Sequence, residues 1–345
     1  MRSWNSITLG EVLPFKYGKN LPASKRTHSG EYDVVSSAGI IDSHDTAFTT
    51  EPCIVIGRKG SIGSLTYCPD PVWPTDTTFY VTGTPYCDLR FGYYVLQTLP
   101  LNQMNNDSAV PGLNRNDAES LAFSLPPVSK QKTIAKVLGS LDDKIAANQR
   151  TIQSADSLRN ALWDKLLKTN TESLPLSSLA EFINGRAFTK NATGTGRVVT
   201  RIAELNSGIG SNTVFNDIEV HQNHVVLPGE LLFAWSGTLM TKRWPYDEAI
   251  VNQHIFKVLP ISKFDLWALE LIIQSQIHYF QMIAAGKATT MGHIKRADLD
   301  KTVEVPTSIP DKLNMLGNTL WMLASQAEQE NQTLARTRDE LLPLL

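Results

Sequence analysis

The sequence predicts an α+β protein. It consists of two similar mixed α/β domains joined by two long helices forming an antiparallel coiled coil, in a pseudo-two-fold internal repeat. The first observation is a duplication. Leu9-Gly10-Glu11 matches Leu179-Ala180-Glu181, and Gly60 and Phe79 match Gly237 and Phe256. Arg115-Asn116-Asp117 then matches Arg296-Ala297-Asp298, and Ile152 matches Leu334, with separations drifting from 170 through 177 and 181 to 182 residues. A period this long marks a duplicated domain, because solenoid units run to ~20–50 residues. The second observation is length, since 345 residues exceed one ordinary core and suit two domains of common size. The third is a pair of Leu-seamed stretches, each of which follows one of the globular segments. The resulting boundaries are 1–125 and 171–306 for the domains, with 126–170 and 307–345 for the helices.

In the first copy, Pro52-Cys53-Ile54-Val55-Ile56 is a short buried-strand run stopped by Gly57, and 77–81 is a second strand rich in β-branched and aromatic residues. Pro69, Pro71, Pro74, Gly83 and Pro85 break the region into short strands and loops. Leu89, Tyr93 and Leu96 recur at helical spacing, residues 105–112 form a loop, and Phe123-Ser124-Leu125 leads into Pro126-Pro127. The second copy repeats the plan. Strands are expected at 231–234 and 254–259, an apolar helix at 266–282, a loop at 286–290, and Val303-Glu304-Val305 ends at Pro306.

In the first long helix, Ile134, Leu138, Leu141, Ile145, Asn148, Ile152 and Ala155 are spaced alternately four and three apart, which is a heptad seam. The seam then slips to Leu158, Leu162 and Leu166, a stutter. In the second, Leu313, Leu320, Ala327, Leu334 and Leu341 form a seven-residue column flanked by Leu316 and Leu323. Each stretch would make roughly 50–60 Å of helix at 1.5 Å per residue. Apolar seams need a partner, and two repeats related by a two-fold axis across the helices lay them antiparallel. Asn148 on the seam either fixes register or is a helix-end side chain facing solvent.

With 42% hydrophobic and 19% charged residues the chain has a soluble globular composition, and no apolar run is long enough to span a membrane. No signal-peptide pattern opens it, and Cys53, Cys68 and Cys87 are too few and odd in number for a disulfide framework, so a cytoplasmic protein is expected. The net charge of −2 is low for a binder that relies on phosphate neutralisation. Only residues 126–170 are basic, with eight Lys and Arg against four Asp.

No catalytic or metal site emerges. Gly57-Arg58-Lys59-Gly60-Ser61-Ile62-Gly63 has the glycine density of a phosphate cradle but lacks the Gly-Lys-Ser/Thr ending and a following helix. His221 and His224 offer only two ligands, and there is neither a Cys-x-x-Cys nor the Asn/Asp-Pro-Pro-Tyr tetrapeptide of an amino-methyltransferase. No cofactor is expected on this chain.

Ala109-Val110-Pro111-Gly112-Leu113-Asn114-Arg115, then Leu125-Pro126-Pro127, Gln131–Leu138 and Leu141–Asn148, resemble the specificity subunit of type I restriction-modification systems. With the duplication, the resemblance runs end to end. It implies a non-catalytic DNA reader whose two target-recognition domains each read half of an asymmetric bipartite target. It also implies that the helices set the gap and dock two methyltransferase subunits, which bind S-adenosylmethionine, and that a restriction-translocation subunit can join. The second copy departs from the pattern. It carries Met291-Gly292-His293-Ile294-Lys295-Arg296, one Pro at 306, and no Leu-Asp-Asp-Lys-Ile stretch. A modification-only or other phage-defence methylation system is therefore an alternative, as is a helical scaffold with protein-binding domains.

Reading bases in the major groove needs paired donors or acceptors, and loops on a sheet present them well. First-copy candidates are Lys19, Lys25, Arg26, Ser36, Ser37, Arg58, Lys59 and Ser61. Second-copy candidates are Arg186, Lys190, Arg201, Ser236, Thr238, Lys242, Arg243 and Lys287. A solvated charged turn is an equal reading of Arg58-Lys59. Trp235 reads more readily as core than as a base-stacking ring.

Overall fold

The computed structural model describes residues 4–104, 112–286 and 292–345. In chain order the first part holds β1 (Asn5–Thr8), α1 (Leu9–Val12), β2 (Lys16–Tyr17), β3 (Tyr32–Ser36), β4 (Gly39–His44), β5 (Cys53–Gly57), β6 (Leu65–Cys68), β7 (Trp73–Pro74), β8 (Thr78–Thr82), α2 (Leu89–Thr98), α3 (Arg115–Glu119) and β9 (Ala122–Leu125). Then come α4 (Val128–Leu167), β10 (Thr171–Pro175), β11 (Ala180–Asn184), β12 (Arg197–Thr200), α5 (Ile202–Ser207) and β13 (Phe215–Asn216). The chain continues through β14 (Val225–Val226), β15 (Leu231–Ala234), β16 (Met240–Arg243), β17 (Ala249–Val251), β18 (Ile255–Pro260), α6 (Leu266–Gly286), β19 (Thr302–Pro306) and α7 (Asp311–Leu341). The fold is mixed α/β, and the chain divides into two compact units, residues 1–143 with 334–345, and residues 144–333.

In the first unit the main sheet has strand order β2-β8-β5-β6, all antiparallel. Every residue of β5 is buried, as its unbroken apolar run requires. A smaller sheet, β4-β3-β7, joins β3 to β7 in parallel, and β1 pairs with β9. Leu9, Leu13, Phe15, Phe79, Phe91 and Val95 centre the core. Asp88 caps α2 by accepting from the Phe91 amide at 3.0 Å, so the helix starts where its apolar spacing begins. Gln131 of α4 accepts from the Asp88 amide at 2.8 Å and donates to the carbonyls of Tyr86 and Pro126. Tyr94 donates to Asp142 at 2.6 Å, and Arg338 donates to Asp142 at 2.9 Å.

The second unit repeats this plan around β11-β18-β15-β16, with β13-β12-β17-β14 as its smaller sheet and β10 paired with β19. β12 and β17 are parallel, as β3 and β7 are, and β14 is an added edge. Trp267, Phe264, Phe233, Leu231 and Phe280 are fully buried in its core. Asp265 accepts from Asn314 and Asn318 of α7 at 2.8 and 2.6 Å, as the first unit ties its long helix to Asp88.

Within the second unit, residues 144–167 of α4 pack along the start of α7. Ile152 and Ala155 share a buried cluster with Leu320, Ala324 and Ala327. Asn148 donates to Glu330 at 2.8 Å and to Asn331 at 2.9 Å, and it accepts from Lys144 at 3.0 Å. Position 148 meets 330–331 while 155 meets 320–327, so these segments run antiparallel. Asn148 is therefore a buried cross-helix contact, not a solvent-facing one. Of the other seam positions, Leu138 is buried, and Ile134, Leu141, Ile145, Leu313, Leu334 and Leu341 are half-buried. Leu158, Leu316 and Leu323 are 51%, 39% and 44% exposed.

The duplication can be checked by hydrogen bonds. Ile56 opposes Phe79 and Phe233 opposes Phe256, which reproduces the separation of 177. Arg115 and Arg296 each open a short helical turn, at the separation of 181. The first anchor is corrected. Leu9 donates to Leu121 as Leu176 donates to Lys301, so Leu9 corresponds to Leu176 and not Leu179. Leu9, Val12 and Leu13 are thereby equivalent in the repeat to Leu176, Leu179 and Ala180, and a slip of one helical turn still matches Leu to Leu.

Candidate nucleic-acid interface

Equivalent loops connect the strands of the edge hairpin in each main sheet, β5–β6 and β15–β16. In the first unit β5 runs into Arg58-Lys59-Gly60-Ser61, and in the second β15 runs into Trp235-Ser236-Gly237-Thr238. Gly60 and Gly237 have φ of +77° and +63°, a left-handed conformation that glycine adopts without a Cβ penalty. The backbone supports match. Arg58 donates to Thr77 O at 2.9 Å, and Trp235 donates to His254 O at 3.0 Å. Leu113 donates to Arg58 O at 2.9 Å, and Ile294 donates to Trp235 O at 3.1 Å. Isolated bridges pair Lys59 with Gly112 and Ser236 with His293. Each turn is thus held by main chain on both sides, while its side chains are free to differ.

They do differ. The Arg58 guanidinium lies 5.6 Å from the Tyr17 ring and 5.8 Å from the Phe79 ring, and it donates to the Asp76 carbonyl at 2.6 Å. Lys59 and Ser61 are exposed beside it. Ser37 approaches the same turn, because its carbonyl accepts from Ser64 at 2.6 Å and its hydroxyl lies beside Gly60. Ser36 closes the β3–β4 turn by accepting from the Ala38 amide at 3.0 Å. In the second unit the turn is aromatic and imidazole-rich. Trp235 is half-buried, donates to Asn184 at 2.9 Å, and packs against His254 at 5.0 Å and Phe256 at 5.7 Å. His254 holds φ at +75°, uncommon for a residue with a Cβ.

A family model described as type I restriction modification DNA specificity domain matches residues 1–156. That match takes in less than half of the chain. Two curated relatives agree with it: the type I restriction enzyme EcoprrI specificity subunit of Escherichia coli, 26% identical over 145 residues, and the candidate type I specificity subunit S.MgeORF438P of Mycoplasma genitalium, 25% identical over 183. The alignments take in 39% and 49% of this chain but only 35% and 45% of those relatives, so the chain spans under half of their length. The crystal structure of a type I restriction-modification S subunit from M. genitalium superposes with a TM-score of 0.68 at 15% identity, over 98% of this chain and 95% of that one. The whole chain therefore has the fold of a type I S subunit. The family and both relatives are specificity components.

The remaining candidates are scattered. Lys19 is exposed, 5.6 Å from the Phe48 ring and 5.8 Å from the Trp73 ring. Lys25 is exposed on a 3₁₀ turn, Ala23–Lys25, and Arg26 pairs with Asp42 at 3.6 Å, away from the β3–β4 turn. Arg186 is exposed on a loop bridged to Asn252, and Lys190 is exposed four residues on. Thr238 is exposed in the second turn, whereas Ser236 is 2% exposed. Lys242 lines a polar cavity with Glu204 and Tyr246. Arg201 is held by both oxygens of Glu204 and by the Asn212 carbonyl. Burial works against the Glu204 charge, but the Arg201 hydrogen bonds outweigh it and hold the carboxyl below its ordinary range. Arg243 is not presented for groove contact. It is 5% exposed, and its donors are taken by Asp156 and Glu328. Lys287 lies outside the described residues, as do Ala109, Val110, Pro111 and Met291 of the compared motifs.

Sequence reasoning did not single out Tyr17, His254, His293 or Asn184. Each lies apart from the loop it serves, although the 177-residue repeat points from Thr77 to His254. Among the described residues no group of three His, Cys, Asp or Glu side chains could hold a metal ion, and no helix is long and apolar enough to cross a membrane.

Proposed function

We propose that the chain is the DNA sequence-recognition subunit of a type I restriction-modification complex, located in the cytoplasm and without catalytic groups of its own. Each globular domain, 1–125 and 171–306, reads one half of an asymmetric bipartite target. The two helical regions pair as an antiparallel coiled coil that sets the separation of the half-sites. They also offer docking surface to two methyltransferase subunits, on which S-adenosylmethionine binds, and a restriction-translocation subunit completes the complex.

One observation carries this reading. Two turns with the same backbone scaffold display different chemistry, Arg58-Lys59-Gly60-Ser61 in one unit and Trp235-Ser236-Gly237-Thr238 in the other. Arginine and lysine suit guanine edges, whereas an aromatic and imidazole surface favours stacking and thymine-methyl contact. Two unlike readers imply two unlike half-sites. Methylome sequencing of a host expressing the system should therefore show a two-part motif with different halves, and a palindromic motif would sink the proposal. The spacing role has its own test. Four residues inserted in each helix add ~6 Å of rise, close to two base-pair steps of ~3.4 Å. The non-specific gap should lengthen while both half-sites stay the same, and an active insertion variant with an unchanged gap would refute the spacing role.

A further inference from the structure

The hairpin β15–β16 carries the Trp235–Leu239 turn at one end and Arg243 at the other, where Arg243 opposes Leu231. There the guanidinium forms a two-sided clamp. Nη1 and Nη2 donate to the two carboxylate oxygens of Asp156 on α4 at 2.8 and 3.0 Å, and Nε and Nη2 donate to Glu328 on α7 at 3.1 and 3.0 Å. The Trp321 ring lies 5.0 Å from this guanidinium and 5.2 Å from that of Arg159, which itself pairs with Asp156 and Glu270. Burial works against the Arg243 charge, yet the hydrogen bonds it donates to Asp156 and Glu328 hold its proton more firmly than usual. One arginine thus ties the base of the hairpin to both helices, and the bidentate fork fixes an angle as well as a distance.

Resting on the DNA-reading function proposed above, we propose that Arg243 is a positioning residue that aims the Trp235–Leu239 turn at the second half-site. From Arg243 to the turn is four residues, ~13 Å at 3.3 Å per residue, so a tilt of about 4° at the base moves the turn by about 1 Å. That is enough to spoil a paired hydrogen bond to a base edge. The first unit builds the same joint differently. Tyr67 takes the place of Arg243, opposing Ile54 as Arg243 opposes Leu231. Its ring meets Tyr93 at 5.6 Å and Arg90 at 5.7 Å, and Arg90 reaches Asp143 on α4 at 2.6 Å. Loss of the Arg243 fork should therefore affect one half-site alone.

The test uses Arg243→Met in the complete system, with the methylome of the expressing host as readout. Expected is a loss of discrimination of about ten-fold or more at bases of one half-site, with the other half-site and the gap unchanged. Arg243→Lys, which keeps the charge but not the fork, should fall between. Equal loss at both halves, or no loss at either, would overturn the proposal. If Arg243→Met does not accumulate, Glu328→Gln, which leaves the Asp156 side of the clamp intact, is read by the same criteria. Hydrogen exchange on the full chain supplies a readout independent of DNA. Faster exchange confined to residues 231–243, with 266–282 unchanged, supports the clamp, and uniform acceleration or none overturns it. A wild-type methylome without a two-part motif would fail the functional reading, and exchange would then decide the clamp alone.

Discussion

Asn148 is where the pairing of the helices can be tested most sharply. It is 5% exposed, between a lysine on its own helix and Glu330 and Asn331 across the interface. Lys144 and Glu330 are about half exposed, so both regain water when the amide is removed and are counted at nothing. What remains is the hydrogen bond to half-buried Asn331 and the packing of the amide. Together these make Asn148→Ala cost about 1–2 kcal/mol. At about 2–4 °C per kcal/mol for a unit of this size, melting should fall by about 2–8 °C. Asn148→Leu loses the same bonds but buries a side chain whose transfer contributes about 1.5–3 kcal/mol, so its stability should stay near wild type. It should instead lose register, since a polar seam position penalises slipped pairings that leucine tolerates. Thermal melts followed by tryptophan fluorescence report the first effect. Carbodiimide coupling of Lys144 to Glu330, 3.0 Å apart, reports the second. A leucine variant that melts as low as the alanine variant and still couples fully would refute the argument.

Other sites give equally definite expectations. A Cβ on Gly317 would stand 2.3 Å from Trp267, which is fully buried and anchored to Asn314 at 2.8 Å, so Gly317→Ala should cost about 1–3 kcal/mol in a urea titration. Burial pushes the Cys87 thiol up to about 12, so iodoacetamide at neutral pH should leave it unmodified in the folded chain and label it in urea. Glu204, held below its ordinary range, contributes stability that is complete above the unfolded value and is lost as pH falls through the folded one. The difference in melting temperature between wild type and Glu204→Gln should therefore be largest near neutrality and shrink in acid, and a difference independent of pH would contradict this.

Much of the fold was legible because its strands are apolar runs ended by glycine or proline. Cys53–Gly57, Leu231–Ala234 and Thr302–Pro306 lie where that pattern put them, within a residue or two. The glycines of the two turns were legible as a repeat because both positions require a positive φ. The β3–β4 hairpin was not anticipated, since its outer strand exposes Ile40 and Ile41 and shows no clean alternation. Arg243 was the most misleading residue. With Lys242 it reads as a candidate base contact, and the carboxylates that bury it come from 87 and 85 residues away. Pairing at that distance leaves no local trace.

The turns at Gly60 and Gly237 are secured on both flanks by main-chain hydrogen bonds, from Leu113 and Ile294 on one side and to Thr77 and His254 on the other. Main-chain bonds do not depend on which side chains the turn carries. Mutation or recombination can therefore exchange residues at positions 58, 59, 61, 235 and 238 without rebuilding the support beneath them. Such a turn is a socket, whose support stays the same whatever side chains are plugged into it.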